Sequence, residues 1–134
     1  MSGMNSVLLV DDSPAMRGAL RREFEGAGWV VCGEAANGEE AIVKAERLRP
    51  QIILLDLSMP GINGLTAARR LKRVLPEVPL ILFTGHGDLF KSNEANAAGI
   101  SAVFSKGESI IGVLDKARAL ASHRLAFVTS TTAT

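Results

Sequence analysis

Residues 52–64 read Ile52-Ile53-Leu54-Leu55-Asp56-Leu57-Ser58-Met59-Pro60-Gly61-Ile62-Asn63-Gly64. Four branched apolar residues in succession, without polar alternation, fit a strand buried on both faces, as in the middle of a parallel sheet. The run stops at a carboxylate, Asp56, and Pro60, Gly61, Asn63 and Gly64 make the next stretch a loop. Open α/β sheets keep their ligands beyond the carboxyl ends of such strands. Asp56 therefore stands where chemistry is to be sought.

Outward from this stretch the same unit recurs, a short branched run followed by a segment of helical period, five times in all. Val7 to Val10 is the first strand. Ser13 then caps a helix and Pro14 occupies the position that tolerates a missing N–H. Met16, Leu20, Phe24 and Ala27 share one helix face, Arg17, Arg21 and Arg22 lie off it, and Gly28 suits its end. The second strand is Val30 to Ala35; Asn37 caps a helix carrying Ala41, Ile42, Ala45 and Leu48, and Pro50 stops it. After the central loop a third helix carries Leu65, Ala68, Leu71 and Leu75. Leu80 to Thr84 is the fourth strand, followed by a weakly apolar helix around Leu89 to Ala98, a fifth strand Ala102 to Phe104, and a last helix with Ile110, Ile111, Leu114, Ala117 and Leu120. The pattern predicts a doubly wound five-stranded parallel sheet with five flanking helices. Residues 6–121 form one domain on this reading, and the Thr-rich stretch 122–134 reads as a flexible tail or the start of a linker.

Composition narrows the function classes. Acids and bases are scattered and the formal charge is +1, without the basic stripe that a nucleic-acid surface needs. Cys32, the single cysteine, excludes an internal disulfide and a multi-cysteine metal site, and reads as a small buried hydrophobe. No signal-like start and no apolar run near the roughly 18 residues of a membrane span are seen. These features imply a soluble, cytoplasmic protein that by itself contacts neither membrane nor nucleic acid. His86, His123 and Trp29 read as loop, tail and packing residues on their own.

Five polar groups arise independently at strand ends: Asp11 and Asp12 after the first strand, Asp56 after the third, Thr84 at the end of the fourth and Lys106 after the fifth. Singly each is ordinary, a helix cap, a solvated charge or a good strand residue. With strand order 2-1-3-4-5, borrowed from known doubly wound folds, the first and third strands flank the reversal point and their three carboxylates meet in one crevice. Crowded carboxylates repel, and a divalent cation relieves them. Magnesium suits oxygen ligands shared with a phosphate, and no His or Cys is placed to compete. Lys106 offers a compact charge able to pair with Asp56 and then with a phosphate oxygen. Such a site lets a carboxylate attack a phosphoryl group while cations neutralise its oxygens.

The pair Asp11-Asp12, the run Ile53-Leu54-Leu55-Asp56 with Met59-Pro60-Gly61 and Gly64, the strand-end Thr84, and Lys106 after Phe104 together resemble the response-regulator receiver family of two-component signalling. The resemblance spans about residues 6 to 121. It implies a flavodoxin-like fold in which Asp56 is the phosphoacceptor, Asp12 a direct ligand of magnesium or manganese, Asp11 a ligand acting largely through water, and Ser58 a ligand through its backbone carbonyl. Thr84 would bond the phosphoryl oxygen and move inward, Lys106 would form the salt bridge to it, and Phe104 would fill the place of the switch aromatic. Ser58 and His86, each two residues beyond a site residue, occupy positions that tune phosphoryl loss. The implied donor is a phosphohistidine on a sensor histidine kinase or histidine phosphotransfer protein. The responding face would comprise the helix around Leu89 to Ala98, the fifth strand and the last helix, with an output partner or a phosphorylation-dependent homodimer reading it.

Two positions depart from the commonest pattern. Gly107 stands where many members carry proline, so a cis bond after Lys106 is not implied; without proline it costs about 2.5 to 4 kcal/mol. Phe104 lacks the hydroxyl of a tyrosine, which leaves any switch there to packing. Two other function classes compete. A small magnesium-dependent phosphohydrolase also uses an aspartyl phosphate, but it needs an acid or base beside the nucleophile and a cap, and Ser58 and the short chain offer neither. The receiver half of a DNA-binding transcriptional regulator would carry the same motifs, with residues 122–134 as its linker. The receiver is expected to catalyse only its own phosphorylation and dephosphorylation.

Overall fold

The computed structural model describes the backbone of residues 5–56, 61, 64–85 and 97–133, with side chains described as far as residue 122. Five strands, β1 (Ser6–Val10), β2 (Val30–Ala35), β3 (Ile52–Leu55), β4 (Leu80–Thr84) and β5 (Ile100–Ser105), form one parallel sheet in the order β2-β1-β3-β4-β5. Four helices are seen among the described residues: α1 (Pro14–Gly26), α2 (Gly38–Leu48), α3 (Gly64–Val74) and α4 (Ile110–Ala133). The helix expected around Leu89 to Ala98 falls largely on residues 86–96, outside the described residues. The parallel winding is that expected from the sequence, and the strand order is the one borrowed above from known doubly wound folds.

The period of two along each strand sorts the core into two layers. Leu8, Val10, Ile53, Leu55, Leu80 and Leu82 point to one face, under Ala41 and Ala45 of α2 and Ala67, Ala68 and Leu71 of α3. Their alternates Val7, Leu9, Ile52, Leu54, Ile81 and Phe83 point to the other, under Leu20 and Phe24 of α1 and Val113, Ala117 and Ala121 of α4. Both faces of β3 and β4 are covered, which is why those runs carry no polar alternation. Alanines on α2 and α3 place those helices close to the sheet. On the other face Trp29 is buried, its ring meeting Phe24 edge to face at 5.4 Å, a packing role as the sequence suggests.

Helix ends follow the local chemistry. The Ser13 hydroxyl accepts the Met16 amide at 3.1 Å, with Pro14 in the first turn, and the Asn37 side chain accepts the Glu40 amide at 2.8 Å. Beyond α1, Gly28 adopts φ 91°, a conformation that costs glycine little. Arg49 closes α2 in the left-handed region, and Pro50 follows. The backbone of α4 stays helical through Ala133, into the stretch that composition reads as a tail. A helix is one form a linker takes.

Candidate functional site

The site is assembled by continuing the β ladders one residue past the strand ends. Val10 of β1 pairs with Leu55 of β3, and the Asp56 amide extends that register by donating to the Val10 carbonyl at 2.9 Å. Asp11 is held from the other side, its amide donating to the Ala35 carbonyl of β2 at 3.0 Å. On the far side of β3, Thr84 pairs with Ser105, and the Lys106 amide donates to the Thr84 carbonyl at 2.9 Å. Residues remote in sequence thus share one rim of the sheet because parallel pairing brings equivalent strand ends level.

At that rim the carboxylate oxygens of Asp11, Asp12 and Asp56 lie within 4.8 Å of one another. Asp11 and Asp56 are buried, at 2% and 4% exposure, while Asp12 faces solvent. Lys106 reaches into the group: its Nζ is 2.7 Å from Asp11 Oδ2 and 3.3 Å from Asp56 Oδ2. The sequence pairs Lys106 with Asp56; the shorter contact is to Asp11, so the ammonium bridges both acids. Thr84 is fully buried and its side chain hydrogen-bonds the Asp56 carboxylate. Burial pushes the Asp56 carboxyl above the usual carboxylate range, the Asp11 charge adds to this, and the Lys106 charge with the Thr84 and Lys106 hydrogen bonds only partly offsets it. For Lys106, burial pulls the ammonium down, but its hydrogen bond to Asp11 and the charges of Asp56 and Asp11 outweigh that and leave it raised.

Three carboxylates against one ammonium leave the pocket with an excess of negative charge, and the donor group is all oxygen. This set fits a hard divalent cation such as magnesium, which takes carboxylates and retains waters. Asp12, exposed beside two buried acids, can offer its oxygens to an ion arriving from solvent. Ser58, expected as a carbonyl ligand and rate-tuning position, and His86, expected as a rate-tuning position, lie outside the described residues, as does the Met59-Pro60 pair. Phe104, half-buried, packs onto the α1 and α4 layer, and its ring edge lies 3.4 Å from where a Cβ on Gly112 would stand. No cis peptide bond occurs among the described residues.

Comparison with known proteins identifies the family. The family model described as the response regulator receiver domain matches residues 7–117. The chain belongs to the response-regulator receiver family. Among receivers, the chemotaxis protein CheY of Thermotoga maritima is 38% identical over 93 residues, covering 69% of this chain and 78% of that protein. The transcriptional activator protein ExaE of Pseudomonas putida is 35% identical over 119 residues, covering 87% of this chain. The receiver spans only 56% of that activator's length. A solved structure of the response regulator TrrA from T. maritima, in complex with magnesium and a beryllium fluoride, superimposes with a TM-score of 0.80 at 28% identity, covering 87% of this chain and 99% of that one. This chain is a receiver domain of two-component response regulators. Among its described residues no helix is long and apolar enough to cross a membrane.

Sequence reasoning gave no role to a second charged group beside the rim. Glu34 of β2 accepts from Arg17 Nε at 3.0 Å and from Arg21 Nε at 2.7 Å, and Arg21 also reaches Glu25 at 3.0 Å. An Nη1 hydrogen of Arg17 is donated to the Asp11 main-chain carbonyl. Periodicity places Arg17 off the apolar face of α1 but says nothing of what lies across from it, because Glu34 belongs to another strand. No spacing rule connects the two.

Proposed function

We propose that Asp56 is the phosphoacceptor of this receiver and that Asp11, Asp12 and Asp56 bind magnesium, or manganese, with the Ser58 carbonyl. The observation that carries the reading is the gathering of three carboxylates and one ammonium around a buried acid at the end of β3. An Asp56 carboxylate oxygen attacks the phosphorus of a phosphohistidine; the new P–O bond forms as the P–N bond breaks, and the imidazole leaves with the electron pair of that bond. Lys106 exchanges a carboxylate oxygen for a phosphoryl oxygen, and the Thr84 hydroxyl donates to another. When bound, magnesium supplies charge neutralisation of the phosphoryl oxygens.

The acyl phosphate brings up to about two negative charges to a pocket already anionic. Thr84 and Phe104 would respond, shifting a two-state equilibrium on the face built from the segment around Leu89 to Ala98, β5 and α4. Ser58 and His86 would set how fast the phosphoryl group is lost. On this reading the donor is a sensor histidine kinase or a histidine phosphotransfer protein, the setting is the cytoplasm, and the chain catalyses only its own phosphorylation and dephosphorylation. A partner, or a second copy of the chain, reads the switched face.

A second reading is favoured by relatives longer than this chain: residues 6–121 are the receiver half of a transcriptional regulator, and 122–134 begin the linker to a DNA-binding half. The helical backbone of that stretch supports a continuous connection. Both readings share one test. With magnesium and acetyl phosphate or phosphoramidate, the wild-type chain gains the mass of one phosphoryl group in a base-labile bond, and Asp56→Asn gains none. An unmodified wild-type chain with every small donor and kinase tried would sink the phosphoacceptor role.

A further inference from the structure

The peptide bond between Asp11 and Asp12 decides how the two acids are displayed, one carboxylate inward and the other out to solvent. The torsions on either side of that peptide, ψ of Asp11 and φ of Asp12, set the direction of the Asp12 side chain relative to that of Asp11. Its carbonyl, that of Asp11, accepts from Arg17, and Arg17 is itself anchored on Glu34 at 3.0 Å. The preceding amide of Asp11 is held by the carbonyl of Ala35, the neighbour of Glu34 on β2. The turn is fastened again ahead, where the Ser13 amide donates to Asp11 Oδ1 at 2.9 Å and the Arg17 amide to the Ser13 carbonyl at 3.0 Å. Arg17 has a side-chain exposure of 16%, so this contact is shielded from competing water.

We propose that Arg17, locked by Glu34, is a positioning residue for the cation pocket: it fixes the Asp11–Asp12 peptide so that both carboxylates present their oxygens to one ion. The inference rests on the metal site proposed above. Groups that orient the ligands of a metal site commonly govern affinity as strongly as weaker ligands do. The guanidinium fork suits the task because it binds a carboxylate and a carbonyl at once in fixed relative geometry, which an ammonium does not.

A through-space effect of the same side chain has the opposite sign. As a mere positive charge beside three acids, Arg17 would repel a cation, and its removal would tighten magnesium binding. Titration calorimetry of the full chain with magnesium chloride separates the two. Positioning requires that Arg17→Met weaken magnesium on the order of 10-fold, as for loss of a ligand-orienting partner. Arg17→Lys, which keeps the charge and loses the fork, weakens it as well. Glu34→Gln, which loosens the anchor, weakens it in the same direction. Arg21→Met, which removes the other partner of Glu34 without touching the turn, leaves the affinity at the wild-type value. Phosphorylation by acetyl phosphate then shows a raised half-saturating magnesium concentration and an unchanged rate at saturating magnesium, a split that a general loss of structure does not produce. Unchanged or tighter magnesium binding in Arg17→Met and Arg17→Lys would overturn the proposal, as would an equal loss in Arg21→Met. Asp12→Ala tells the two levels apart: if it too binds magnesium like wild type, the metal site itself is misassigned, whereas loss in Asp12→Ala alone refutes only the role of Arg17.

Discussion

Replacing Lys106 by methionine removes the only cation that touches both buried acids among the described contacts, while keeping most of the apolar stem. Its Nζ lies 2.7 Å from Asp11 and 3.3 Å from Asp56, so at an effective dielectric of about 20 the gross attractions are about 6 and about 5 kcal/mol. Most of this is cancelled by the cost of taking the three groups out of water. Breaking a buried ion pair from one side typically costs about 3 to 5 kcal/mol. The Lys106 side chain is 22% exposed and the acids can take up protons, so about 2 to 4 kcal/mol is expected at neutral pH without magnesium. For a domain of this size that lowers the melting temperature by roughly 8 to 15 °C.

The distinguishing feature is the response to cations. Without the ammonium the pocket has a greater excess of negative charge, so magnesium must stabilise Lys106→Met more than wild type, each tenfold gain in affinity adding about 1.4 kcal/mol. Thermal denaturation followed by circular dichroism, without magnesium and with one magnesium level high enough to saturate each protein, measures both effects. If Lys106→Met melts like wild type in the absence of metal, or if magnesium raises both proteins equally, the electrostatic account of the rim is wrong.

Two further outcomes follow from the same structure. The Glu34 carboxyl is held below the usual glutamate range by the Arg21 hydrogen bond foremost, against an opposing effect of burial, with Arg17 adding to the lowering. Its stabilisation is therefore present above the unfolded value of about 4.3 and is lost as pH falls through the depressed folded value. Urea unfolding should find Glu34→Gln less stable than wild type on the order of 1 kcal/mol at pH 7 and equal to it in strong acid; a gap that persists there contradicts this assignment. Phe24 is wholly buried against Trp29, so Phe24→Ala should cost about 3 to 5 kcal/mol by cavity formation and alter the Trp29 emission of the folded state, whereas a loss below about 1 kcal/mol would mean that the α1 layer collapses to fill the gap.

Some of this molecule is legible in one dimension. The unbroken run Ile52 to Leu55 announces a strand covered on both faces, Ser13-Pro14 and Asn37 announce helix starts, and the repeated alternation of strand and helix announces a parallel sheet. These signals are local, since period, capping and backbone restriction act over a few residues. The convergence of Asp11, Asp12, Asp56, Thr84 and Lys106 was also foreseeable, but only by adding a strand order taken from known folds to the rule that ligands gather at strand ends.

Other features were decided by the tertiary structure alone. That Lys106 sits nearer Asp11 than Asp56 depends on how the ends of β1, β3 and β5 lie relative to one another in space, which no sequence pattern records. The link from Glu34 through Arg17 to the Asp11 carbonyl joins β2, α1 and the end of β1, and each residue by itself resembles a solvated surface charge. The helical backbone beyond residue 121 runs against a Thr-rich composition whose intrinsic propensity for helix is low. Residue types and spacings determined which groups were available for chemistry here; pairwise distances between elements remote in sequence, set by packing on the two faces of the sheet, decided which of them touch.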